Sequence, residues 1–138
     1  MFEVFEHTAD VGIRVRAPDL PTLFVDAARG LFSVLVTNLD AVRPVHEERI
    51  RVAGNPAQCD DLLFDWLAEL LYVFDTQRCL FSSFEVRLND DGLEGTARGE
   101  PIDRSRHEMD MEVKAITYHG LKVESGADGW LAEVIVDL

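Results

Sequence analysis

Lysine is nearly missing from this chain: Lys114 and Lys122 are the only two, and 13 basic residues stand against 26 acidic ones. The formal charge of −13 gives a field that repels phosphate backbones, because nucleic-acid binding relies on basic side chains displacing counterions. Direct RNA or DNA binding is therefore not expected. Such a surface attracts a cation, a cationic small molecule or a basic protein, and solubility alone is the plain alternative. Cysteine is as scarce. Cys59 and Cys79 have no metal-like spacing, and a chain of 138 residues folds without a staple, so both read as buried reduced thiols. No apolar run reaches the ~20 residues of a membrane span, and the start Met1-Phe-Glu-Val-Phe-Glu6 lacks the basic opening of a signal peptide. A soluble cytoplasmic protein is expected. The chain also has no Gly-rich phosphate loop, no Cys-x-x-Cys, no His-Glu-x-x-His and no Gly-x-Ser-x-Gly. Nucleotide binding and covalent hydrolysis lose support accordingly.

What is present is enough apolar material, 47% of residues, for one domain that buries roughly two-thirds of its unfolded surface. Phe2 to Glu6 and Val11 to Arg16 alternate apolar and polar with period two, so both read as half-buried strands. Asp19 offers an N-cap ahead of Leu20-Pro21, and Leu20, Leu23, Phe24, Ala27, Ala28, Leu31, Phe32 and Leu35 recur at helical spacing. Val45 to Val52 predicts a strand with Ile50 and Val52 on one face and Arg49 and Arg51 on the other, and His46 facing solvent. Gly54-Asn55-Pro56 marks a turn and the start of a second helix, whose apolar face runs through Leu62, Leu63, Trp66, Leu67, Leu70, Leu71 and Phe74. Asp61, Asp65 and Glu69 stand four apart on its other side as a solvated or partner-facing stripe. Leu80 to Leu88 and Gly92 to Gly99 flank Asn89-Asp-Asp91, a hairpin turn. Ile116 to Val123 and Trp130 to Val136 form a last hairpin about Ser125-Gly-Ala-Asp-Gly129. The order β-β-α-β-α-β-β-β-β predicts an α+β domain over residues 1–138, with a mostly antiparallel sheet and two amphipathic helices packed on one face.

Polar chemistry crowds near the C-terminus. His107, Glu108, Asp110, Glu112, Lys114, Tyr118 and His119 fall within thirteen residues. Asp137 and the carboxylate of Leu138 close a paired strand, where ladder hydrogen bonds restrain a terminus that would usually fray. A fixed pair of carboxylates is a candidate cation site. A second carboxylate and imidazole, Asp10 and His7, lie at a strand end, with Asp10 as an ordinary turn residue the simpler alternative. Carboxylates and histidines at strand ends suit a hard cation with oxygen ligands better than a zinc cage.

These residues resemble the archease family over essentially the whole chain. The likeness is carried by Phe5-Glu-His-Thr-Ala-Asp-Val-Gly-Ile13, by Leu62-Leu-Phe-Asp-Trp-Leu-Ala-Glu-Leu-Leu71, and by Glu112-Val-Lys-Ala-Ile-Thr-Tyr-His119 with the closing Gly129-Trp and Asp137-Leu138. The resemblance implies a small α+β accessory protein with no catalysis of its own. Its partner would be the GTP-dependent RNA ligase of tRNA splicing, bound transiently, whose histidine guanylylation and multiple turnover it promotes. It also implies a divalent-metal site for Ca²⁺, with Mg²⁺ or Mn²⁺ as alternatives, on Asp10, Asp137 and the terminal Leu138. A functional lysine falls on Lys114, and His107 and His119 match histidines of the family's C-terminal motif. Trp66 and Ala68 depart from the Phe and Asn often found there. The residues also allow a stand-alone metal-dependent enzyme, with His107 or His119 as general base, and the resemblance also implies, as a further alternative, a chaperone-like modulator of a tRNA methyltransferase.

Overall fold

In chain order the elements are β1 (Phe2–His7), β2 (Asp10–Ala17), α1 (Leu20–Leu35), a 3-10 turn (Leu39–Ala41), β3 (His46–Ala53), α2 (Cys59–Gln77), β4 (Cys79–Asn89), β5 (Gly92–Pro101), β6 (Ala115–Gly126) and β7 (Gly129–Asp137). This computed structural model describes residues 1–7 and 10–138. Part of the connection His7 to Asp10 thus lies outside the described residues. The predicted element order is the observed one, and every strand pairing is antiparallel.

The seven strands divide between two sheets, β1-β2-β7-β6 and β3-β5-β4, where one sheet was expected. The division follows from the segment between β5 and β6, which forms no strand of its own and carries the chain from one sheet to the other. It also follows from the helices, which contact both sheets: α1 meets β1, β2 and β7 of the first and β4 of the second, while α2 meets β6 of the first and β3, β4 and β5 of the second. A helix touched on two sides needs more than one apolar stripe. In α1 the predicted stripe is joined by buried Gly30 and Val34. Gly30 is small because β1 and β2 lie against it: a Cβ there would stand 2.7 Å from the Ile13 side chain and 3.3 Å from Phe2. Phe32, pointing toward the other sheet, meets the rings of Phe81 and Phe84 at 5.7 and 5.8 Å.

Local chemistry sets the boundaries. Asp19 caps α1, its Oδ1 accepting from the Thr22 N–H at 2.8 Å, with Pro21 in the first turn. α2 starts later than its turn signal, at Cys59, because Asn55 to Gln58 close a turn first, the Gln58 N–H donating to the Asn55 carbonyl at 2.8 Å. It ends at Arg78, which takes the left-handed conformation (φ 54°). Asn89 Oδ1 accepts from the Asp91 N–H at 2.8 Å in the β4–β5 turn, as its sequence predicts. In β3, Ile50 and Val52 are buried and Arg49 and Arg51 are exposed. Cys79 is buried, but Cys59, on the first turn of α2, is only half-buried. Burial pushes both thiols above their usual range, which makes them poor nucleophiles. No helix among the described residues is long and apolar enough to cross a membrane.

Candidate functional site

β7 is the inner strand that assembles the site, because it is paired with β2 on one side and β6 on the other. Its last residue, Asp137, lies opposite Asp10 of β2 and opposite Ala115 of β6. Residues directly opposed across an antiparallel pair project to the same face, with Cβ atoms roughly 4.5–5.5 Å apart. The register therefore sets the carboxylates of Asp10 and Asp137 side by side at one end of the four-stranded sheet. The Lys114 N–H donates to the Asp137 carbonyl at 2.8 Å, which ties the residue before β6 to the same end. Leu138 packs its side chain against the core and so anchors the end of β7. Asp10, Asp137, Leu138 and Lys114 are thus brought together.

Two opposed carboxylates repel one another unless a cation or donors lie between them. All the donors of this pair are oxygens, which matches a hard divalent ion of the Ca²⁺ or Mg²⁺ type. Two side chains fall short of the six to eight oxygens Ca²⁺ takes, and no group of three or more His, Cys, Asp or Glu placed to hold a metal occurs among the described residues. A cation here would need main-chain oxygen, water or a partner's ligands as well.

His119 lies farther along β6, exposed, where the strand register breaks between Thr117 and Lys122 and Gly120 takes φ 65°. Next to it, exposed Tyr118 stacks on Phe64 of α2, with ring centroids 3.9 Å apart and planes within 10°. Packing against that ring raises the phenol's pKa, and Asp65, Asp61 and Asp60 raise it further. Asp61, Asp65 and Glu69 are all exposed, so the acidic stripe and this aromatic stack share one surface of α2 and β6. Phe64 carries a signal visible in the sequence: it falls off the stripe of Leu62, Leu63, Trp66 and Leu67, and it is only half-buried at the edge of the core.

His107 lies elsewhere. Its side chain is fully buried, in the loop between β5 and β6, and cannot itself touch a partner in this conformation. Its Nδ1 accepts from the Asp103 N–H at 2.9 Å, so the ring proton sits on Nε2 and donates to Glu100 Oε2 at 3.1 Å. Glu100, itself only 6% exposed, also accepts from the Arg43 N–H at 2.6 Å and from the Arg106 guanidinium. Nothing in Gly99-Glu-Pro101 announces a buried carboxylate. Burial alone would raise its pKa, but the hydrogen bonds from Arg43, Arg106 and His107 outweigh it and hold the group below the usual carboxylate range. A depressed folded-state value contributes stability that is present above the unfolded value, near 4.3, and is lost as pH falls through the folded one. Glu100→Gln is expected to cost about 3 kcal/mol at neutral pH by leaving the buried His107 donor and the half-buried Arg106 donor short of a charge. It should also flatten the loss of stability in acid. Urea unfolding from pH 3 to 7 checks both, and parallel pH profiles for the two proteins would refute this account of Glu100.

Residues 2–138 match the model of the archease protein family. The chain is 44% identical to protein archease of Methanopyrus kandleri, over 99% of both chains. It is 40% identical to protein archease of Pyrococcus furiosus, over 99% of this chain and 98% of that one. The solution structure of a Methanobacterium thermoautotrophicum protein superposes with a TM-score of 0.85 at 39% identity, covering 99% of this chain and 98% of the other. A Thermotoga maritima crystal structure, described as an archease and possible chaperone, shares the fold with a TM-score of 0.68 at 21% identity, over 100% and 98% of the two chains. A full-length match of this kind, on a chain whose β2, β6 and β7 converge on the residues its motifs single out, makes the protein a member of the archease family.

Proposed function

We propose that the protein activates the GTP-dependent RNA ligase of tRNA splicing, promoting guanylylation of the ligase's active-site histidine and its multiple turnover without catalysing a reaction of its own. The observation that carries this reading is the opposed pair Asp10 and Asp137 at a sheet end, with Lys114 beside it. Asp10, Asp137 and the terminal carboxylate of Leu138 would hold a divalent cation of the Ca²⁺ or Mg²⁺ type. When bound, such an ion supplies positive charge where a triphosphate and a nucleophile must approach. Lys114, exposed at the same end, offsets phosphate charge, and the restrained end of β7 keeps the carboxylates from fraying away. The accessory role suits the family, one of whose members is described as a possible chaperone.

A charge of −13 favours docking beside the basic mouth an RNA ligase must possess, and the exposed Asp61, Asp65 and Glu69 would steer that approach. Because the mouth must also admit RNA, docking is transient. The association rate with purified ligase should fall by about tenfold between low and physiological salt, read by stopped flow, and bare tRNA should not bind. The deciding assay is ligase guanylylation and turnover with and without the protein. No stimulation, or chemistry by the protein alone, would overturn the proposal.

A further inference from the structure

Beside the sheet end, on the flank of Lys114, runs a cleft of about 430 Å³ between the end of α2 and the segment that leads into β6. Arg78, Arg104 and Lys114 all line it, and all three are exposed. Elsewhere basic side chains are largely spent in ion pairs, as Arg14, Arg51, Arg98, Arg106 and Lys122 are. Among the described residues none of the three cleft cations is in one. Arg78 only rests its guanidinium over the Phe74 ring, 5.1 Å from the centroid. In a chain with twice as many acidic as basic residues, three unpaired cations around one cleft are a feature the fold itself does not require.

The cleft floor is apolar. Leu35, Phe74 and Val113 are buried beneath it. An apolar floor under charged, forked donors is the pattern of a site for a small anion with a flat apolar body, and the volume lies within the ~300–1,000 Å³ of small-molecule sites. Three cations exceed what a single carboxylate would use and match a chain of phosphates. Asp75, Asp110 and Glu112 stand on the same rim. They would repel a bare polyanion, and so favour one that arrives with its own divalent cation. We propose that this cleft binds a magnesium nucleoside triphosphate. The cleft is read from this chain alone, whereas the choice of a nucleotide over another polyphosphate rests on the ligase reading above. No glycine-rich loop contributes, so recognition is by side chains, which explains why phosphate-loop motifs do not find it.

Isothermal titration of the full chain with Mg-GTP, Mg-ATP and Mg-tripolyphosphate tests this. Saturable binding of both nucleotides is expected, with tripolyphosphate weaker because it has no ring for the floor. Arg104→Glu and Arg78→Asn should each raise the Kd about tenfold or more, with the melting temperature of the free protein unchanged. Asn tolerates the left-handed backbone of position 78, so that fold and charge are separated. Absence of saturable binding, or binding by both variants as tight as by the parent, would overturn the proposal. Tripolyphosphate binding as tight as GTP would overturn the assignment to a nucleotide. Since no ligase is present, failure here leaves ligase activation untouched. Conversely, Asp137→Ala should bind nucleotide normally while failing to activate.

Discussion

Trp66→Ala is expected to lower the unfolding free energy by about 3 to 5 kcal/mol, a large share of the 5–15 kcal/mol of an ordinary domain. Trp66 is fully buried and sits where three parts of the fold meet. Its indole lies against Gly95 of β5, where a Cβ would stand 2.5 Å from the ring. Its edge meets the Phe84 ring at 6.4 Å and 83°. Its Nε1–H donates to the carbonyl of Phe24 in α1 at 3.0 Å. Truncation therefore removes packing between α2 and the smaller sheet, and leaves a void that glycine on one side and backbone on the other cannot fill. For a chain of this length the melting temperature should fall by about 10 °C or more. Trp66→Phe keeps most of the apolar contact and loses the hydrogen bond, so its cost should be about 1–2 kcal/mol. An unchanged denaturation midpoint for the alanine variant would show that Trp66 does not link α1, α2 and the β3-β5-β4 sheet.

The two helices and the hairpins were legible because their signals are local. Apolar spacing, the Asp19 cap and the Asn89 turn each act within a few residues. The division into two sheets was not legible, since alternation with period two tells which face of a strand is buried and not which strand it pairs with. The buried backs of Gly30 and Val34 are the trace of that division, and in the sequence they look like a polar-side interruption of the helix stripe. Asp10 and Asp137 could be marked individually as strand-end carboxylates. Their direct opposition depends on β2 pairing with β7 across most of the chain length, which only the tertiary structure supplies. His107 shows the opposite limit. A histidine in a polar stretch reads as chemistry, yet this one is buried against Glu100, whose flanking Gly99 and Pro101 give no periodic signal.

Asp10→Ala and Asp137→Ala should each reduce ligase activation to the unstimulated rate while the protein stays folded. Both carboxylates belong to the short oxygen set proposed for the cation, so losing one leaves a hard ion under-coordinated. Their opposition in the β2–β7 register also means that, without a cation, each is a like-charge neighbour of the other. Deleting the Asp137 carboxylate relieves that repulsion, so in chelator the melting temperature of that variant should stay level or rise slightly. Added Ca²⁺ or Mg²⁺ should separate the proteins. For the parent, a cation at about 100 times its Kd adds about 2.7 kcal/mol by mass action, which is a shift of several degrees. Neither aspartate variant should show it. Lys114→Ala should keep the cation-dependent shift, because its main-chain N–H, not its ammonium, is what meets Asp137. It should nonetheless lose activation, since its exposed ammonium is the charge proposed to meet phosphate. These three variants distinguish a metal-bearing tip from a merely acidic one. If Asp137→Ala activated the ligase fully, the opposed carboxylates would be no more than a structural strand end, and activation would have to lie with the aromatic and acidic surface of α2 and β6.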